Sequence, residues 1–308
     1  MFFQASMDEL RYGGESLQTL LFQDDISQLS TSVRGAQTGN TRMESVMETK
    51  LLDFNLDKSC VIVMGSRKQQ KEVEEQLEQT PLTLCGKKMA NVQMEKYLGD
   101  MLCGAGLSES VHATVIKRKG QVISSILDTK AVIEDCRANV VGGIVSGLDI
   151  WELAILPYLL NNSETWTELS KKTVEALDDL QYMFLMYLLA TPRTCPIPSL
   201  LWETGGILMK YRIAQKKLVF YHHLINLPKN SLAYQIASTQ VSLSYPGLML
   251  ECQELMEEYN LTDVKSSSKI QWKKMVKNKV KEQNETSLLT IVNQKYKKLD
   301  YNVLSEET

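Results

Sequence analysis

The sequence predicts an α+β protein, with a small antiparallel sheet and helices first and an all-helical region after them. Three observations favour this fold class. Short apolar runs separated by turn residues fill residues 1–104, as expected for short strands. Apolar residues at helical spacing dominate residues 105–260. The apolar fraction of 44% and the charged fraction of 23% are typical of a globular protein rather than a disordered one.

Each element of the first region follows from a local pattern. Met43, Val46, Met47 and Leu51 recur at helical spacing between charged residues, which predicts a helix. The segment CVIVMG is fully apolar and stops at a glycine, which predicts a buried strand. The expected elements, in order, are strands at Leu17–Phe22 and Ile26–Ser30, a helix over 35–52, a strand at Cys60–Gly65, an exposed helix over 67–79, and short strands around a Gly-Lys-Lys turn between 82 and 102.

The chain divides into three predicted domains. Residues 1–104 form the mixed region, residues 105–260 an all-helical region, and residues 261–308 a basic helical tail. The segment 265–281 within that tail contains seven Lys and no acidic residue. The opening segment MFF has no helix cap, so the chain is expected to begin midway through a domain.

The net charge and the spacing of the cysteines limit the classes of protein to which this chain can belong. The net charge of −3 means that nucleic-acid binding must come from local basic patches. Six widely spaced Cys without a C-x-x-C pair are typical of reduced thiols in an intracellular protein, and a zinc site is not expected. No secretory signal is evident, and the apolar runs are too short to span a bilayer. We therefore expect no membrane partner and a location in the nucleus or cytoplasm.

Two adjacent carboxylates, Asp24 and Asp25, lie between the first two predicted strands. A tight turn between paired strands holds a side chain at a fixed point, and carboxylate oxygens are ligands that Mg²⁺ prefers. Such a pair suits two-metal phosphoryl transfer. A solvated turn without a metal explains the same two residues.

Downstream motifs place this hairpin in a wider pattern. After the FxDD segment come an amphipathic helix, the segment NLDKS ahead of an apolar strand, and the segment EKYLGDML. This order resembles the second half of the palm of a reverse transcriptase from non-LTR retrotransposons of the LINE type. The resemblance continues through residues 159–189, with a GSETW-like sequence, and through residues 201–228, and so covers most of the chain.

The resemblance implies an RNA-directed DNA polymerase, a nucleotidyltransferase that uses Mg²⁺, dNTPs, an RNA template and a DNA primer. It implies catalytic roles for Asp24 as the metal-binding carboxylate, for Asp25 as its acidic neighbour, and for Lys58 beside the incoming triphosphate. A lysine there neutralises or protonates the leaving pyrophosphate. The same resemblance implies that a strand with Tyr97, Leu98 and Gly99 holds the primer 3′ end.

Basic clusters in the helical region are candidate contacts to the phosphate backbone. Lys117, Arg118 and Lys119 are adjacent, and phosphate contacts give sequence-independent binding that depends on salt. The lysines around Trp272 suit single strands held by charge and stacking. Solvated faces, and a polar helix with one buried Trp, explain these clusters equally well. His222 and His223 are expected to be packing or surface residues.

One part of the family pattern is missing from the sequence. The family carries a further Asp on an earlier strand, and Asp8 lies in a linker rather than on a strand. We therefore expect a truncated polymerase with half an active site, inactive alone, whose partner is an upstream polymerase segment. A sheet without its first strands should expose an edge and an apolar face. The alternatives are a non-catalytic nucleic-acid-binding remnant of a retrotransposon polymerase and a helical scaffold with an incidental acidic hairpin.

Overall fold

The computed structural model describes residues 11–12, 15–16, 19–128, 134, 142–192, 194–262, 264–265 and 267–295. Asp8, Cys136 and the first two residues of the strand predicted from Leu17 lie outside the described residues. The chain is a mixed α+β protein, as predicted. It divides into two compact units, Met1–Ser110 and Val111–Thr308, where the sequence placed a boundary after residue 104.

Short paired strands make up the β structure of the first unit. They are joined in pairs rather than in one sheet among the described residues, because each strand is only two to four residues long. Four of the pairs are antiparallel, and the β5–β8 pair is parallel. The strands are β1 (Arg11–Tyr12), β2 (Glu15–Ser16), β3 (Thr19–Phe22), β4 (Asp25–Gln28), β5 (Cys60–Val61), β6 (Thr83–Leu84), β7 (Lys87–Lys88), β8 (Ala90–Asn91), β9 (Met94–Tyr97) and β10 (Asp100–Cys103).

Two predicted strand features were wrong. The apolar segment CVIVMG forms a strand only at Cys60–Val61, and these two residues are half-buried. The Gly-Lys-Lys segment is not the turn, because Cys85 and Gly86 form it with positive φ and the two lysines belong to β7.

Helix α1 (Val33–Lys50) forms where the sequence predicts it, but it buries a different face. Its N-terminus is capped by Ser32, whose hydroxyl accepts a hydrogen bond from Gly35 N at 2.9 Å. The buried residues include Asn40, whose side chain donates to Thr83 O at 2.9 Å. Val46 is exposed, and Leu51 is 93% exposed, so the predicted apolar face does not pack into the core.

Helix α2 (Arg67–Gln79) confirms the predicted exposed helix, since Leu77 is its one fully buried residue. It begins with a capping box in which Ser66 and Gln69 satisfy each other's backbone donors. Such a cap stabilises a helix that buries little apolar surface.

The second unit is helical. Its helices are α3 (Leu107–Asp128), α4 (Gly142–Ile150), α5 (Leu156–Leu159), α6 (Lys171–Leu189), α7 (Ile197–Glu203), α8 (Met209–Ile225), α9 (Leu232–Ser242), α10 (Leu248–Glu258) and α11 (Lys269–Lys295). A π-helical segment, Trp151–Ile155, joins α4 to α5. The core of this unit surrounds the fully buried side chains of Trp151, Phe184, Leu218 and Trp272.

The segment predicted as a basic helical tail contains a helix that packs into the core of the second unit. Residues Trp272, Val276, Val280, Asn284 and Leu288 of α11 are all buried. They recur every four residues, so they form one stripe along the helix. Helix α11 packs mainly against α8 and α7.

The segment Gly142–Leu159 is long and apolar enough to span a membrane by length and composition alone. Its mean hydropathy is 1.2 over 18 residues, and 33% of it is buried inside the structure. The sequence was expected to contain no apolar run long enough to span a bilayer, and this segment includes two charged residues, Asp149 and Glu152. Glu152 accepts a hydrogen bond from Arg212 Nη1 at 3.0 Å.

Side chains from two other helices cap the N-terminus of α8. Asp178 of α6 accepts a hydrogen bond from Met209 N at 3.0 Å, and Asn284 of α11 accepts one from Leu208 N at 3.0 Å. Desolvation by burial raises the pKa of Asp178 from 3.8 to about 6, and the hydrogen bond from Met209 N and the charge of Lys210 oppose that rise only in part.

The raised pKa of Asp178 predicts a specific pH dependence of stability. Because the folded state binds this proton more tightly than the unfolded state, stability should fall as the pH rises from about 4 to about 6. The shift corresponds to roughly 3 kcal/mol. Asp178→Asn should remove this part of the slope and raise stability at neutral pH, as measured by urea unfolding across the pH range. As a control, Asp179→Asn changes an exposed neighbour and should keep most of the dependence of stability on pH. If wild type and Asp178→Asn showed the same dependence on pH, the raised pKa would not belong to Asp178.

Candidate functional site

The two carboxylates lie at the tip of a tight hairpin, as the sequence predicts. Strands β3 and β4 pair antiparallel with Phe22 opposite Asp25, so Gln23 and Asp24 form a two-residue turn. Gln23 has φ 56°, and a positive φ at this position is what two-residue hairpins need. The turn is therefore one residue shorter than predicted, and Asp25 is the first residue of β4.

Strand β3 of the hairpin is exposed, although its sequence suggests burial, while β4 is partly buried after Asp25. Leu21 is 71% exposed and Phe22 is 53% exposed. A two-stranded ribbon buries apolar side chains only when another layer covers one of its faces. Helix α1 covers only the far end of β4, where Gln28 Nε2 donates to Ala36 O at 3.0 Å, so the tip of the hairpin presents both carboxylates and the apolar side chains of Leu21 and Phe22 to solvent.

The chemistry of the hairpin tip fits part of a Mg²⁺ site. Asp24 and Asp25 are both exposed, and their oxygens are hard ligands of the kind that Mg²⁺ binds. In the described part of the chain neither carboxylate forms an ion pair, and no group of three or more His, Cys, Asp or Glu residues is placed to hold a metal. An ion bound here would take its remaining ligands from water, substrate phosphates or another carboxylate.

Lys58 is the last residue of a single 3₁₀ turn, Leu56–Lys58, directly before β5. Its backbone N donates to Asn55 O at 3.2 Å, and its side chain is exposed. Within the described residues, no hydrogen bond or ion pair joins Lys58 to Asp24 or Asp25. The structure therefore places Lys58 at a strand entrance, as predicted, without a direct polar contact to the carboxylates.

The segment Tyr97-Leu98-Gly99 forms the end of a second tight hairpin. Tyr97 ends β9 and pairs with Asp100 of β10. Leu98 and Gly99 have φ values of 48° and 93°, which matches a type I′ turn. The expectation that all three residues lie on a strand was wrong for Leu98 and Gly99, since a two-residue connection needs both of them in the turn.

The basic cluster of α3 is divided between the surface and the core. Lys117 is exposed, and Lys119 forms an ion pair in which its Nζ lies 3.9 Å from Asp179 Oδ2. Arg118 is only 4% exposed, donates to Leu159 O at 3.3 Å and Asn161 O at 2.7 Å, and stacks 5.6 Å from the ring of Trp166. The prediction that Arg118 contacts nucleic acid was therefore wrong, because its guanidinium satisfies buried carbonyl groups.

The periodicity of α3 contains the signal for this burial. Val115 and Val122 are buried three residues before and four residues after Arg118, so all three lie on one face of the helix. An arginine inside such an apolar stripe indicates an internal hydrogen-bonding role.

Two adjacent lysines of α8 form ion pairs inside the second unit. Lys216 pairs with Glu164 at 2.9 Å, and the buried Lys217 pairs with Glu251. The two lysines are adjacent and are followed by the apolar run from Leu218 to Tyr221, so the local pattern does not indicate which lysine is internal.

Trp272 does not present its ring to a ligand. The residue is 0% exposed, its Nε1 donates to Leu218 O at 2.8 Å, and His222 stacks on it with ring centroids 5.7 Å apart. The proposed stacking on single strands was wrong, and the alternative of a polar helix with one buried Trp is confirmed. His222 is a packing residue, as expected.

Comparisons of the chain with family models, with curated proteins and with solved structures give no match in any of the three.

Proposed function

We propose that this chain is a reverse transcriptase-like protein whose first unit contributes part of the palm of an RNA-directed DNA polymerase. The observation that carries the proposal is the pair Asp24 and Asp25 at the exposed tip of a two-residue hairpin. The order of the following elements supports it: an amphipathic helix, a lysine at a strand entrance, and a Tyr-Leu-Gly hairpin.

In this proposal the residues have distinct roles. Asp24 and Asp25 bind Mg²⁺, which when bound activates the primer 3′-hydroxyl and stabilises the leaving pyrophosphate. Lys58 carries a positive charge for the triphosphate of the dNTP. Tyr97, with the turn at Leu98 and Gly99, positions the primer end.

The hairpin supplies half of a two-metal site. Asp24 lies in the turn and Asp25 begins β4, and two carboxylates from one hairpin leave most of the ligand positions of two Mg²⁺ ions unfilled. A further Asp-bearing strand, from the upstream polymerase segment that the resemblance implies, is needed for catalysis. The chain alone should therefore be inactive.

A non-catalytic nucleic-acid-binding role is the second candidate. An exposed row of lysines on α11 favours it, because such a surface binds phosphates without contributing to chemistry. The two candidates share their partner, an RNA template paired with a DNA primer, and differ in whether the hairpin binds a metal.

Primer extension on an RNA template tests the half-site. The purified chain with Mg²⁺ and dNTPs should give no extended product, while its affinity for the primer–template, measured by fluorescence anisotropy, should fall steeply as salt is raised. Incorporation that disappears in Asp24→Ala would contradict the half-site. Primer–template binding that is indifferent to salt, or absent at low salt, would contradict the nucleic-acid assignment itself.

A further inference from the structure

Helix α11 has two chemically opposite faces. One face carries the buried stripe that contains Trp272, Val276 and Val280, which fixes the helix against the core of the second unit. Beside this stripe the exposed surface is basic in the first half of the helix, since Lys273 and Lys277 lie about 100° around the helix from Trp272 and Val276. We call this surface the lysine face, and it consists of Lys269, Lys273, Lys274 and Lys277.

The charges of the lysine face are not neutralised within the described part of the chain. None of its four lysines forms an ion pair there, whereas Lys279 and Lys281, further along α11, lie 2.9 Å from Glu282 and 3.6 Å from Glu285. The segment 265–281 contains no acidic residue. In a protein with a net charge of −3, this is a local concentration of unpaired positive charge.

The position of Lys269, in the first turn of α11, is unfavourable for a positive charge. Ser268 and Gln271 form a capping arrangement, with Gln271 N donating to Ser268 Oγ at 3.3 Å and Ser268 N donating to Gln271 Oε1 at 3.0 Å. The helix N-terminus is therefore well defined, and the positive charge of Lys269 in the first turn opposes the helix dipole. A bound anion would reverse that penalty, since both the lysines and the dipole attract it.

The spacing of the lysines fits a linear polyanion. Lys269, Lys273 and Lys277 recur every four residues, so they lie in one row with about 6 Å between successive positions along the helix axis. Lys274 lies beside this row. A nucleic-acid backbone presents closely spaced negative charges along its length, so several lysines can contact phosphates at once.

An anionic membrane fits this surface less well. A helix that lies in a membrane interface needs a free apolar face to insert between lipids. The apolar residues of α11 from Trp272 to Val280 are buried in the protein, and Ile270 is the exposed apolar residue of the first turn, at 81%.

We propose that the lysine face of α11 binds the phosphate backbone of an RNA–DNA duplex without sequence preference. The identity of this partner rests on the proposed function, while the binding surface rests on the structure of α11 itself. Binding uses charge alone, because Trp272 is not available for stacking.

The test compares two variants with the same change in net charge. The first replaces Lys269, Lys273, Lys274 and Lys277 with Gln. The matched control replaces four exposed lysines of α2 and α6 with Gln, namely Lys68, Lys71, Lys171 and Lys172. Thermal unfolding should be nearly unchanged in both variants, because all eight side chains are exposed.

Fluorescence anisotropy with an RNA–DNA hybrid of about 20 base pairs should separate the variants. At about 100 mM salt the lysine-face variant should bind roughly 10- to 100-fold more weakly than wild type, and its plot of log affinity against log salt should be shallower by about 3 to 4. The control should lose less than about 3-fold.

Three outcomes would overturn the proposal, and they can be told apart. If wild type and the lysine-face variant bind the hybrid equally, this surface is not the binding site, while the proposed function still stands. If both variants weaken equally, binding follows net charge rather than this face. If wild type does not bind the hybrid and instead binds phosphatidylserine vesicles, the result contradicts both the nucleic-acid partner and the proposed function.

Discussion

Replacing Trp272 with Ala should destabilise the second unit by about 3–5 kcal/mol, the usual cost of deleting a large aromatic from a core. The ring is fully buried between α11 and α8, and the substitution also removes the hydrogen bond from Nε1 to Leu218 O and the stacking on His222. Urea unfolding followed by circular dichroism measures the loss directly.

Two neighbouring substitutions serve as controls for Trp272. Ile270→Ala lies on the same helix at a side chain that is 81% exposed, so it should change stability by less than about 0.5 kcal/mol. Trp272→Phe keeps a smaller aromatic ring and loses the Nε1 donor, so its cost should lie between those of Ile270→Ala and Trp272→Ala. If Trp272→Ala left stability unchanged and weakened nucleic-acid binding, the residue would be a ligand contact after all.

Breaking the buried ion pair of Lys217 and Glu251 should have an effect of similar size. Lys217 is buried, and Glu251 also accepts a hydrogen bond from Glu168 N at 2.8 Å. Glu251→Met leaves the ammonium group of Lys217 buried without its counter-charge, which should cost about 3–5 kcal/mol. Lys217→Met should cost less, because the Glu251 side chain remains partly exposed to water.

The double substitution distinguishes a charge effect from a packing effect. Replacing both residues with Met removes the uncompensated charge and keeps apolar volume, so most of the stability lost in Glu251→Met should return. Chemical denaturation of the four proteins gives the coupling energy. A double variant as unstable as the sum of the two single variants would show that the pair is not coupled.

The sequence predicted those elements whose formation depends on local patterns. The acidic hairpin, α1 and α2 form where turn residues and apolar spacing place them, because capping and turn geometry involve residues close in sequence. The exposed character of α2 could also be predicted, since it has only two apolar positions, Val73 and Leu77.

The face that each element buries could not be predicted in the same way. The apolar residues of α1 are partly exposed, while its Asn40 is buried against Thr83, because burial depends on partners distant in sequence. Arg118 and Lys217 are the opposite case, since they are charged residues that are buried. Each is a charged residue whose internal acceptor, a carbonyl or a carboxylate, lies more than thirty positions away.

The sequence predicted the local geometry of each part of the candidate site, but it did not predict how the parts lie relative to one another. The hairpin that carries Asp24 and Asp25 is present, and so is the strand entrance at Lys58. Polar contacts between these parts are absent from the described residues. In the proposed function, primer, template and metal supply the connection, and neither the sequence nor the free chain contains those groups.

Paramagnetic broadening by Mn²⁺ is the most direct measurement of whether the hairpin binds a metal. In amide NMR spectra of the chain bound to primer–template, a small amount of Mn²⁺ should broaden the signals of residues 23–26 first. Excess Mg²⁺ should restore them, and Asp24→Asn with Asp25→Asn should abolish the effect. The exposed pair Asp53→Asn with Asp57→Asn should leave it intact. Broadening that is equal at all exposed carboxylates, or that survives the loss of Asp24 and Asp25, would contradict a polymerase-type metal site.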